Sequence, residues 1–257
     1  MKKLLLTYLL CLPMSAFASS GVHLEKADIN LENKTSLRTG AKLFVNYCLS
    51  CHSASYMRYN RMGKDLGMSD EQVEENLMFV ASFEKLDSGE PKNVGALMKV
   101  AMKTKEAKKY FGIPAPDLTV IARARGADWL YSYLTSFYAD EKRPFGVNNT
   151  VFPSVGMPHV LWELEGLKQR VPVLDEKGMV MKDARGHDVM EMVPLTKGKL
   201  SDVEYKHAVN DLVNFMVYMG EPIKLERQRI GIFVMFFLML FFVVAYFLKK
   251  EYWTDVH

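Results

Sequence analysis

Residues 48–52 read Cys48-Leu49-Ser50-Cys51-His52, and this pentapeptide decides how the rest of the chain is read. Two thiols at this spacing suit thioether bonds to the two vinyl groups of one haem, and the histidine that follows is placed to ligate its iron. A CxxC also occurs in thioredoxin-type redox pairs and in half zinc sites. The first reading lacks a redox context. The second needs further cysteines, and the chain has three in all, the third being Cys11. One haem c, attached through Cys48 and Cys51 and ligated by His52, is therefore expected.

Working outward, Leu37, Ala41, Phe44 and Val45 share a helical face behind a cap at Thr35 or Ser36, so the motif begins at a helix end. Ser69 with Gln72 forms a capping box for a helix through Val80. Asp128 is expected to cap DWLYSYLTSFY, and Ser201 with Glu204 to open a helix that stops at Gly220 and Pro222. Between them, Arg170 to Leu195 alternates short apolar runs around Glu176-Lys177-Gly178, the pattern of a hairpin insertion. The fold class expected is mainly α, a cytochrome c-like haem domain with loop and hairpin insertions and one C-terminal transmembrane helix.

The first stretch runs from Lys2-Lys3 through an apolar segment to Ala16-Phe17-Ala18, as a secretory signal does. Its removal takes Cys11 with it. The second apolar stretch, Ile230 to Leu248, carries no charge; at ~1.5 Å per residue it spans roughly the hydrocarbon thickness of a bilayer. The expected organisation is a cleaved signal over 1–18, an exported haem domain over 19–226, an anchor over 227–249 and a cytoplasmic tail over 250–257. Export before a single anchor places the haem domain on the periplasmic side of a bacterial inner membrane. The net charge is only +3, with bases scattered among acids. That excludes the concentrated cationic stripe of a nucleic-acid binder.

An electron-carrying haem needs a second axial ligand, and a soft thioether favours ferrous iron. Met157 stands in the loop NTVFPSVGMPHVLW (149–162), where Pro153, Gly156 and Pro158 break regular structure. His159 is the rival, and it would give a lower potential. Arg123 and Arg125, in an otherwise apolar segment, are candidate partners for the haem propionates.

At these residues the chain resembles the cytochrome c1 family in its bacterial form. The resemblance rests on CLSCHSASYMRYNRM, APDLTVIARARGADWLYSYLTSFY, VFPSVGMPHVLW and the single C-terminal span, in that order. It implies that Met157 is the distal ligand, that one or both arginines adjoin a propionate, and that Tyr56, Arg58 and Tyr59 belong to the haem surroundings. It further implies an electron-transfer subunit of the ubiquinol:cytochrome c reductase, with a cytochrome b subunit and a Rieske iron-sulfur subunit as partners. A soluble cytochrome c is then the acceptor, and the whole complex a dimer. A basic carrier would dock on Glu71, Glu74 and Glu75, or on Glu84, Asp87 and Glu90. The alternatives are a haem subunit of a terminal oxidase or periplasmic reductase chain, and a haem sensor or peroxidase with an open distal position. The chain departs from mitochondrial relatives in having His159-Val160 where they have further prolines, and it lacks an extra cysteine pair that some bacterial relatives carry.

Overall fold

The computed structural model describes residues 23–79, 93–100 and 102–254. The signal segment with Cys11, the expected end of a helix at Val80, and Glu84, Asp87 and Glu90 lie outside the described residues.

Two helices make the centre of the haem domain. Helix α1, Lys34–Leu43, packs along its length on the long helix α8, Asp202–Gly220. The approach is close because position 40 is glycine: a Cβ there would stand 2.1 Å from the Asp211 carbonyl oxygen and 2.6 Å from the Phe215 Cβ. Leu37, Ala41, Phe44, Leu212, Val213 and Phe215 fill the seam and are buried, the main apolar driving force for this pair. Asn214, on the same seam, donates from its amide to Asn30 O and Ser36 Oγ and so ties the N-terminal segment to α8.

Helix α1 starts two to three residues earlier than a Thr35 or Ser36 cap would place it. Asn33 is the cap and accepts from Ser36 N, while the Ser36 side chain is turned inward to Asn214. The helix then widens into a π-helical turn, Phe44–Cys48, which delivers Cys48 into the core and Cys51 to its edge.

After the motif, β1 (Ala54–Arg58) pairs antiparallel with β2 (Leu97–Met98), and α2 (Tyr59–Leu66) and α3 (Asp70–Leu77) cover α1. The capping box of Ser69 and Gln72 is formed at the start of α3, and that of Ser201 and Glu204 at the start of α8. A short basic helix, α4 (Thr104–Phe111), precedes α5 (Ile121–Arg125) and α6 (Ala127–Thr135), both of which pack on α8.

Helix α6 is shorter than DWLYSYLTSFY suggests. It ends at Thr135, and Phe137–Ala139 forms β3, paired with β4 (Val147–Asn149) across a turn. Nor does Asp128 cap the helix; its carboxylate accepts from Ala27 N and fastens the N-terminal segment instead. After the loop 150–161 comes the single turn α7 (Trp162–Glu165). The expected hairpin is present as β5 (Lys168–Pro172) and β6 (Met190–Pro194), prolonged by bridges Leu174–Val180 and Lys182–Asp188 into an exposed arm.

Helix α9, Lys224–Tyr252, is 29 residues long, with a mean hydropathy of 2.8 in its most apolar window and none of that window buried against the rest of the chain. Only three residues separate it from α8. Glu221 in that joint takes Arg227 at 2.5 Å and stands 3.7 Å from Arg123 on α5, so one carboxylate links the anchor to the haem domain. Arg227 in turn holds the Glu221 carboxyl below the usual carboxylate range.

Candidate functional site

The thiols of Cys48 and Cys51 are both free, within one turn of backbone closed by Cys51 N and His52 N on the Cys48 carbonyl, at 3.1 and 2.8 Å. Burial pushes the Cys48 thiol up to about 12, with the neighbouring Cys51 adding to the effect. A thiol this reluctant to ionise is a poor metal ligand or redox nucleophile. Among the described residues, no group of three His, Cys, Asp or Glu is gathered that could hold a metal ion. Two free thiols beside a histidine, one of them buried, suit covalent attachment of a macrocycle and do not suit a zinc centre.

The His52 ring is oriented from outside the motif. Its Nδ1 lies 2.7 Å from the carbonyl oxygen of Pro116, which fixes the tautomer with Nδ1 protonated and leaves the Nε2 lone pair for iron. Burial lowers the His52 pKa, against the opposing pull of the Pro116 carbonyl and Asp117, which favours the neutral ring. Pro116 is held in turn. Asp117 accepts from Ser55 N at 2.8 Å and from the Thr119 hydroxyl at 2.5 Å, and Leu118 N donates to Ser53 O at 2.8 Å.

Met157 belongs to a second, smaller apolar cluster made by Phe137, Val147 and Val155, separate from the main core that contains Cys48 and Leu49. Tyr133 on α6 touches both, and its hydroxyl donates to Met157 Sδ at 3.4 Å. The same ring stacks on Trp129 at 5.0 Å and meets Phe137 edge-on at 5.2 Å. Polar groups clamp the loop that carries the methionine. Asn149, fully buried, accepts from Val151 N and Phe152 N; Asn148 accepts from Ser154 N; Arg143 donates to the carbonyls of Ser154 and Val155. Ser154 sits at φ 63°, a left-handed conformation that this clamp sustains. The loop is therefore stiffened by asparagines and an arginine, where the sequence had offered only Pro153 and Pro158.

His159 is buried and already engaged. Its ring stacks flat on Phe137, 4.9 Å between centroids, and its Nε2 stands 2.9 Å from Glu165 Oε2. The contact is close yet not aligned as a hydrogen bond, which makes it an ionic or dipolar contact. Lys168 meets the other Glu165 oxygen. His159 thus ties the Met157 loop to α7 and β5.

The remaining candidates are dispersed. Arg123, mid-way along α5, pairs with Glu221 in the joint between α8 and α9, whereas the Arg125 guanidinium lies 5.0 Å over the Trp129 ring and so adjoins the Trp129–Tyr133–Met157 group. Tyr59 is buried, and desolvation pushes its phenol up to about 12. Arg58 donates to the Gly95 carbonyl at 2.5 Å, and Tyr56 points to solvent, 79% exposed. Tyr133, Asn149, Arg143 and the His159–Glu165 contact escaped sequence reasoning. Pro116 and Tyr133 lay inside one stretch already singled out there and Asn149 and His159 inside another, whereas Arg143 and Glu165 lay in neither.

The chain has relatives among known proteins. The model of the cytochrome C1 family matches residues 29–256. A cytochrome c1 of Allochromatium vinosum is 47% identical over the full length of both chains. A protein of Nitrosomonas europaea named as an ammonia monooxygenase gamma subunit is 43% identical over 100% of this chain and 99% of its own. The mitochondrial cytochrome c1 haem protein of Neurospora crassa is 26% identical over 85% of this chain and 62% of its own. The chain belongs to the cytochrome c1 family, membrane-anchored proteins that carry a covalently bound c-type haem as a subunit of the cytochrome bc1 complex.

Proposed function

We propose that Cys48 and Cys51 would hold the haem and that His52 Nε2 and Met157 Sδ would ligate its iron, so that the chain serves as a single-electron relay between the Rieske iron-sulfur subunit and a soluble c-type cytochrome. The observation that carries this reading is the pair of preset ligands: Nδ1 of His52 committed to Pro116, and Met157 sulfur steadied by Tyr133 within a clamped loop. His52 and Met157 would together leave the iron without an open site for a substrate. The protein then breaks no substrate bond, and its work is to set potential, burial and distance for outer-sphere transfer. His159, engaged by Phe137 and Glu165, is poorly placed to compete.

Arg125 is the better propionate partner of the two arginines, because it lies over Trp129 beside the Met157 cluster while Arg123 serves the anchor joint. The exported domain faces the periplasm of a bacterial cell, the signal is removed after Ala18, and the whole complex is a dimer. The short joint from α8 to α9 and the Glu221 link suit a relay fixed near the membrane surface, with mobility left to the partners.

The test is replacement of Met157 by leucine and, separately, by histidine. The leucine variant is expected to bind carbon monoxide when reduced, to lose the long-wavelength sulfur-to-ferric-iron absorption and to abolish quinol-driven turnover. The histidine variant is expected to remain six-coordinate at a much lower potential. A leucine variant with unchanged spectrum and turnover would remove Met157 as ligand.

A further inference from the structure

Of the features the relay itself does not use, the loop 102–116 says most about the next partner. Its flanks are fastened to the residue after the haem-ligating histidine: Val100 N donates to Ser53 Oγ at 2.9 Å, and Leu118 N to Ser53 O at 2.8 Å. Its far end reaches the opposite ligand. Phe111 on α4 packs on Phe145 at 5.5 Å, and Phe145 belongs to the same β3–β4 turn whose Arg143 holds the backbone two residues before Met157. The loop therefore runs from the His52 side of the site to the Met157 side.

Its chemistry is one-sided. Residues 99–113 contain Lys99, Lys103, Lys105, Lys108 and Lys109 against a single carboxylate, Glu106, in a chain whose total charge is only +3. All five lysines are exposed, and among the described residues none is ion-paired. The turn 140–143 contributes two acids and two bases and leaves this imbalance unchanged. Within the basic rim stand apolar groups in the open: Tyr110 at 64% exposure, Ile113 at 71% and Phe145 at 38%. An apolar centre with a charged rim is the make-up of a small transient interface.

We infer that α4 and its flanks are the docking surface for the soluble electron acceptor, and that the acceptor presents an acidic face. This rests on the relay proposed above and reverses the expectation of a basic carrier meeting Glu71, Glu74 and Glu75. Those residues stand on α3, which packs on α2 and α1 through Val73 and Leu77. Complementary charge acts chiefly on the encounter rate and is screened by salt.

The test uses the intact solubilised complex with quinol and two soluble c-type cytochromes as probes, one with an acidic haem face and one strongly basic. With the wild-type complex, the second-order rate for the acidic probe should fall as ionic strength rises. The combined K105E, K108E and K109E variant should slow that probe about tenfold or more at low salt and cancel or invert its salt dependence. It should also speed the basic probe. K105Q, K108Q and K109Q should give a smaller change of the same sign. Reduction of the complex's own c haem by quinol, followed in the first turnover, should be untouched in every variant.

Rates for both probes that ignore the lysine substitutions, or a wild-type rate for the acidic probe that rises with salt, would overturn the docking surface. Failure of quinol to reduce the c haem even in the wild type would instead overturn the relay.

Discussion

Replacing Tyr133 by phenylalanine removes one atom group from the distal side and leaves the ring. The Tyr133 hydroxyl donates to Met157 Sδ at 3.4 Å, while the ring keeps its stack on Trp129 and its edge contact with Phe137. Burial raises the phenol pKa further, so the group remains a proton donor throughout the working range. A hydrogen bond to the sulfur reduces its electron donation to the iron and so disfavours the ferric state further, and its loss should lower the potential. A neutral hydrogen bond contributes about 0.5–1.5 kcal/mol net, and sulfur is a weak acceptor, so the lower half of that range applies. For a one-electron couple, where a tenfold change in equilibrium is ~59 mV, this is a fall of roughly 20–40 mV. A spectroelectrochemical titration of the solubilised complex reads it directly, with carbon monoxide binding as the control for intact ligation. A potential that rises, or stays within about 5 mV of wild type with ligation intact, would refute the coupling of Tyr133 to the ligand.

Gly40→Ala should be among the most damaging small substitutions, since its Cβ would lie 2.1 Å from the Asp211 carbonyl oxygen. Overpacking of this kind costs about 1–3 kcal/mol or more, a fall in melting temperature of roughly 2–12 °C for a domain of this size; an unchanged melt would contradict the close seam of α1 and α8. His159→Ala leaves Glu165 buried with only Lys168 as partner and removes the stack on Phe137. Losing a buried polar partner of this kind costs about 1–3 kcal/mol, and the loosened loop should let the reduced haem bind carbon monoxide slowly; a variant as inert to carbon monoxide as wild type would show that His159 does not hold the Met157 loop.

What the sequence disclosed and what it hid follow from how each feature is encoded. The haem motif, both capping boxes, the hairpin insertion and the anchor are local patterns, and each is present at or near the expected residues. The errors were also local. Asn33 outcompeted Thr35 and Ser36 as a cap because Ser36 was needed inside against Asn214. Phe137 and Tyr138 left the helical pattern because pairing with Val147–Asn149 satisfied their backbone better than another turn of α6. The distal clamp could not be read at all: Arg143, Asn148 and Asn149 look like ordinary turn residues until the fold brings them onto the backbone of 151–155. The role of His159 was hidden for the same reason, since its partner Glu165 is acidic surface by composition and buried only in three dimensions.

The measurement closest to the central claim is a redox titration, by reduced-minus-oxidised spectra, of whatever co-purifies with this chain from gently solubilised membranes. The account predicts a high-potential c haem accompanied by b-type haem and a Rieske signal, and reduction of that c haem by quinol in an inhibitor-sensitive manner. A c haem that purifies alone at low potential, with oxidase haem, or with a monooxygenase in place of a cytochrome b would contradict it.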